Sequence, residues 1–156
     1  MAKELDAGDP APDFALPTDG AGHAGLAGFK GKAVVLYFYP KDDTSGCTAE
    51  AIAFSGLKAK FDAAGAVVVG VSPDSSASHD KFKKKHNLAV ALAADPERSA
   101  IEAYGVWKEK SMYGRKYFGV ERSTFLIDRK GRIARIWRKV KVPGHAEEVL
   151  AAAKAL

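Results

Sequence analysis

The chain has 156 residues, the size of one ordinary domain, and its 47% hydrophobic and 28% charged residues rule against a disordered polypeptide. Its formal charge of +5, from 24 Lys and Arg against 19 Asp and Glu, is a smaller excess than nucleic-acid binders carry. A single cysteine excludes an internal disulfide, a Cys-x-x-Cys redox pair and a cysteine-rich zinc site.

Met1 to Asp6 lacks the apolar core of a signal peptide, and the longest apolar runs, 34–39 and 88–94, are too short to span a bilayer. A cytoplasmic protein is therefore expected, with no membrane partner and with residues 1–156 forming one domain. Gly8 to Pro17 holds three prolines beside Phe14 and Leu16 and reads as an edge strand or extended lead-in. Gly20 to Gly31 has no periodicity and reads as turns with a short strand around Leu26; its glycines lack the spacing of a phosphate loop.

Val34 to Tyr39 is a run of β-branched and aromatic residues, the pattern of a strand buried on both faces. Pro40 ends it. After the polar turn Lys41 to Gly46 comes Cys47, and then a helical pattern marked by Phe54, Leu57 and Phe61 that stops at Ala64-Gly65. Ala66 to Val71 is a second buried strand. The capping residues of Ser72 to Ser76 lead into a helix over 79–86, with Phe82 inward and Lys81, Lys83, Lys84 and Lys85 forming a solvated face.

A short strand is expected within 88–93, and a short helix from Pro96 towards Tyr104. Gly105 to Gly119 reads as a long connection in which Trp107, Met112, Tyr113, Tyr117 and Phe118 are partly buried. Ser123 to Ile127 and Ile133 to Trp137 form a hairpin around Asp128-Arg129-Lys130-Gly131, and Pro143-Gly144 introduces a C-terminal helix with Ala146, Val149, Leu150 and Ala153 on one face. This order implies an α/β fold with a mixed sheet. His23, His79, His86 and His145 lack metal-ligand spacing and are expected to be surface or capping residues, so no metal or cofactor is called for.

The chemistry points to Cys47. It falls in the first turn of a helix leaving the end of a central strand, where unpaired N–H groups and the positive end of the helix dipole favour thiolate over thiol. Thr44 or Ser45 is placed to cap that helix.

Pro40-x-x-x-Thr44-x-x-Cys47 resembles the active-site signature of peroxiredoxins. The surrounding sequence is similar to the peroxiredoxin Q, or bacterioferritin comigratory protein, subfamily. Gly8 to Phe14 resembles its opening segment, Phe38 to Asp42 its active-site approach, and Arg122 to Asp128 the strand that supplies its arginine.

The resemblance implies a thioredoxin-like fold, a central mixed β-sheet flanked by helices. It also implies a thiol-dependent peroxidase that reduces hydrogen peroxide and small organic hydroperoxides through a Cys47 sulfenic acid. By the same resemblance Arg122 would hold the thiol anionic and donate to the peroxide, Thr44 would hydrogen-bond the sulfur and a peroxide oxygen, and Pro40 would shield the sulfur. The backbone amides of Gly46 and Cys47 would complete the donors. Glu50, one turn beyond Cys47, is a supporting candidate that either anchors Arg122 or caps the helix.

Three positions depart from the family pattern. Ile52 and Lys83 stand where relatives carry a resolving cysteine, and Ser45 stands where proline is common. With Cys47 alone, resolution falls to an external thiol such as thioredoxin, glutaredoxin or glutathione, in a monomer or weak homodimer. The rival readings are a cysteine hydrolase, which needs a Cys-His pair in contact, and a non-enzymatic redox sensor or binding protein of the same fold.

Overall fold

The computed structural model describes residues 4–156; Met1 to Lys3, the start of the segment expected to lack a leader, lie outside the described residues. The centre of the molecule is strand β3 (Ala33–Phe38), every residue of which is buried, as its unbroken apolar run predicts. Alternation sends Val35, Tyr37 and Tyr39 to one face and Val34, Leu36 and Phe38 to the other.

Strands β4 (Ala66–Ser72) and β5 (Ala91–Ala94) extend the sheet in parallel on one side of β3, and β8 (Ser123–Ile127) and β9 (Ile133–Trp137) extend it antiparallel on the other. The resulting order is β5-β4-β3-β8-β9. One face is covered by α1 (Ser45–Gly56), α2 (Lys58–Ala63), α3 (Ser76–His86) and α5 (His145–Lys154), whose Phe54, Phe61, Phe82 and Val149 share one apolar cluster with Tyr37 and Tyr39. The other face packs against Ile101 of α4 (Ser99–Ala103), Tyr104 and the lead-in residues Phe14 and Leu16. Phe54 stacks on Tyr37 with ring centroids 4.7 Å apart, and burying one such side chain contributes about 1.5–3 kcal/mol. This is the thioredoxin-like arrangement that the sequence implied.

Four expectations need correction. The helix anticipated between Cys47 and Ala64 is two helices, because Gly56 ends α1 and the chain bends at Leu57 before α2 begins. The short strand placed near Leu26 lies earlier, as β2 (His23–Gly25) paired with β1 (Ala15–Pro17). The helix drawn from Pro96 starts at Ser99, where the buried Asp95 carboxylate accepts from the amides of Ser99 and Ile101.

The connection 105–119 is an antiparallel ribbon, β6 (Trp107–Met112) and β7 (Arg115–Val120). Its two-residue turn has positive φ at both Tyr113 and Gly114, the backbone a tight hairpin requires, but with tyrosine where asparagine would have advertised it. Its aromatics are not the partly buried set expected: Met112, Tyr113, Tyr117 and Phe118 are exposed, and Trp107 alone of the five is half-buried. Among the described residues no helix is long and apolar enough to cross a membrane.

Candidate active site

The end of β3 delivers Pro40, half-buried, into the turn Lys41 to Thr44, and Thr44 takes the extended backbone of an N-cap before α1. Ser45, Gly46 and Cys47 are the first three residues of that helix, so their amides have no intrahelical acceptor. The inward face of α1 is Cys47, Glu50, Ala51 and Phe54, the i, i+3, i+4, i+7 stripe of a helix packed on a sheet.

Arg122 reaches this face from the far end of the chain, on the short link between β7 and β8. Its Nη2 donates to Cys47 Sγ at 3.3 Å and its Nη1 to Glu50 Oε1 at 2.7 Å. One guanidinium therefore bridges the sulfur and a buried carboxylate. Gly46 leaves room for the approach: a Cβ there would lie 3.1 Å from Arg122 Nη2, close enough to push the guanidinium aside by a few tenths of an ångström.

Glu50 is 1% exposed, and its second oxygen has no hydrogen-bond partner among the described residues. Burial pushes its carboxyl up to about 7, against the opposing pull of Arg122. Burial alone would lower the Arg122 pKa, but the charge of Glu50, the contact with Cys47 and both hydrogen bonds raise it, so the guanidinium keeps its proton. Of the two roles open to Glu50, the geometry gives it the Arg122 anchor.

Cys47 itself departs from the polar setting that its neighbouring turn suggested. It is 1% exposed and belongs to the apolar cluster that includes Tyr37 and Phe54. The Thr44 hydroxyl donates its one proton to the Lys41 carbonyl at 2.9 Å and so does not donate to the sulfur. Its lone pairs remain open to a donor.

Two histidines were misplaced by sequence reasoning. His79 is fully buried, with Nδ1 2.7 Å from Asp42 Oδ2 and Nε2 2.9 Å from the Ala93 carbonyl. His145 is buried against Phe54 and Trp137 with Nε2 2.8 Å from Thr124 Oγ1, and burial lowers its pKa. Of the other two, His86 is only half-exposed and pairs with Asp43, and His23 is exposed. The signal that could have found His79 is its place three residues before the inward Phe82, on the same helical face.

The arrangement is a sulfur beside a fixed cation at the start of a helix, which can attack an electrophilic oxygen and steady the charge that develops on the departing one. Comparison with known proteins agrees. The AhpC/TSA family model matches residues 7–136. The peroxiredoxin Bcp of Bacillus subtilis is 50% identical over 146 residues, covering 94% of this chain and 93% of that protein.

A structure of the Xanthomonas campestris bacterioferritin comigratory protein, from work on its alkyl peroxide reduction activity, superposes with a TM-score of 0.90 at 45% identity, covering 96% of this chain and 98% of that one. A cysteine-to-serine variant of Xylella fastidiosa PrxQ gives 0.93 at 41% identity, covering 99% and 98%.

Proposed function

The chain belongs to the AhpC/TSA family and is a peroxiredoxin, a thiol-dependent peroxidase, and on that premise we propose that Cys47, Arg122, Thr44 and Pro40 carry the reaction on hydrogen peroxide and small organic hydroperoxides. The observation that carries this reading is the 3.3 Å contact between Arg122 Nη2 and Cys47 Sγ at the first turn of α1.

In the oxidising half-reaction the Cys47 thiolate attacks the terminal peroxide oxygen. An S–O bond forms, the O–O bond breaks, the sulfur loses two electrons to the peroxide, and the leaving oxygen takes a proton to depart as water or an alcohol. Arg122 stabilises the anionic sulfur before attack and the leaving oxygen during it. The free amides of Gly46 and Cys47 add donors, and a lone pair of Thr44 Oγ1 accepts from the peroxide O–H. Pro40 limits access from the side of β3. Glu50 fixes the guanidinium from behind.

The product is a Cys47 sulfenic acid. The chain has no second cysteine, so an external thiol attacks it, releasing water and forming a mixed disulfide that a further thiol opens. Thioredoxin, glutaredoxin or glutathione would serve, and a reducing cytoplasm is the setting in which a lone thiol stays available. The reading is tested by intact-mass analysis after one equivalent of peroxide. A single added oxygen on Cys47, removed by one of these thiols, is expected; an unmodified chain, or oxidation elsewhere, overturns it.

A further inference from the structure

Cys47 must meet two very different reactants. A hydroperoxide brings only a two-oxygen head. An outside thiol must form a disulfide, which holds the two Cα atoms about 4.4–6.8 Å apart, and no second backbone comes that close to a residue that is 1% exposed. The loop ahead of α1 therefore has to move after oxidation and stay still before it.

That loop is tied to helix α3. The Asp42 carboxylate accepts from Tyr39 Oη at 2.6 Å, from Ser78 Oγ at 2.8 Å and from His79 Nδ1 at 2.7 Å. His79 Nε2 faces the Ala93 carbonyl at 2.9 Å, so both ring nitrogens are engaged and the ring is held from two sides. The Asp42 amide donates to Asp74 Oδ2 at 2.8 Å. The next residue, Asp43, has φ of 60°, an unfavourable backbone for a non-glycine residue, and is gripped by Lys85 and His86 of α3. Burial alone would raise the Asp42 carboxyl, but the hydrogen bonds from His79 and Tyr39 outweigh it and hold it below the usual range.

We propose that the buried Asp42–His79 hydrogen-bonded pair is a latch: it positions the Pro40 to Thr44 loop for attack on peroxide, and it must part before an external thiol can reach oxidised Cys47. Asp42 and His79 are positioning residues, acting through Thr44 and the first turn of α1. The consequence is a pair of opposite effects. Weakening the latch slows oxidation, because Thr44 and the first turn of α1 are less firmly placed, and speeds thiol attack, because the open form is more populated. A general loss of structure would not separate the two.

The inference rests on the peroxidase reading for what the opening achieves, and its test is chosen to stand apart from that reading. In Asp42→Asn and His79→Gln, peroxide oxidation of Cys47 is expected to fall about tenfold, while modification of the reduced thiol by the bulky disulfide dithiobis(nitrobenzoate) rises about tenfold. Amide exchange over residues 43–48 quickens in the same variants and stays unchanged in β3. Ser78→Ala, which removes one hydrogen bond and leaves the Asp42–His79 contact, tests the latch if either stronger variant fails to fold; the same two shifts, each about twofold, are expected of it.

The latch is overturned if dithiobis(nitrobenzoate) modification does not rise, whatever happens to the peroxide rate. A wild-type thiol that reacts with peroxide no faster than a free thiol would instead remove the peroxidase reading, and the modification and exchange data would still decide the latch.

Discussion

Two neighbouring regions of the molecule are built on opposite terms. The cluster around Cys47 is buried, and its polar groups are fixed by partners from separate parts of the chain, Arg122 from the β7–β8 link and Glu50 from α1. The β6–β7 ribbon, which ends two residues before Arg122, is held by its own backbone ladder and turns Met112, Tyr113, Tyr117 and Phe118 to solvent. The contrast teaches where precision is needed. A reacting sulfur requires its cation placed to a fraction of an ångström, and burial on a packed sheet supplies that placement.

The largest expected effect that could erase this contrast is on stability. Phe54→Ala removes the ring stacked on Tyr37 beneath the site and should cost about 3–5 kcal/mol in urea unfolding, whereas Tyr113→Ala at the ribbon tip should stay within about 0.5 kcal/mol. Similar losses from both would show that the ribbon is as much a part of the core as the site is.

Next in size is Arg122→Ala, which should slow peroxide oxidation of Cys47 by about 100- to 1,000-fold, the usual loss for one oriented donor at a developing oxyanion. Arg122→Lys should recover little of this, because one ammonium cannot bridge Sγ and Glu50 as the guanidinium fork does. An unchanged rate in Arg122→Ala would mean that the sulfur draws its reactivity from elsewhere.

A smaller effect sharpens the role of Glu50. Its carboxyl holds its proton up to about 7 in the folded chain and only to 4.5 when unfolded, so the folded state binds the extra proton between those values. The stability this confers is complete below 4.5 and is lost as pH rises to about 7, by an amount on the order of 3 kcal/mol. Urea midpoints at pH 5 and pH 8 should therefore differ more in the wild type than in Glu50→Gln. The smallest effect belongs to the ribbon again: Phe118→Ala should leave the oxidation rate within about twofold.

What the sequence made legible follows the same division. β3 announced itself through an unbroken apolar run, and Cys47 through the turn-then-helix pattern that follows it, because both depend on neighbours in the chain. The pairing of Arg122 with Cys47 spans 75 positions and came only through resemblance; no periodicity encodes it. The burial of His79 was missed because a histidine beside four lysines reads as part of a solvated face, and only the fold shows Asp42 and the Ala93 carbonyl arriving to pair with it. The ribbon was missed because Tyr113-Gly114 is weak turn chemistry and its aromatics alternate on no buried face. Local patterns predicted elements; groups that meet across the fold had to be seen.

The most direct measurement is the second-order rate constant for oxidation of Cys47 by hydrogen peroxide in the wild-type protein, followed by stopped flow and set against glutathione under the same conditions. A rate at least about a thousandfold above the free thiol is expected from a sulfur held beside Arg122 at the head of α1. A rate no greater than that of glutathione would contradict the assignment of peroxide chemistry to this site.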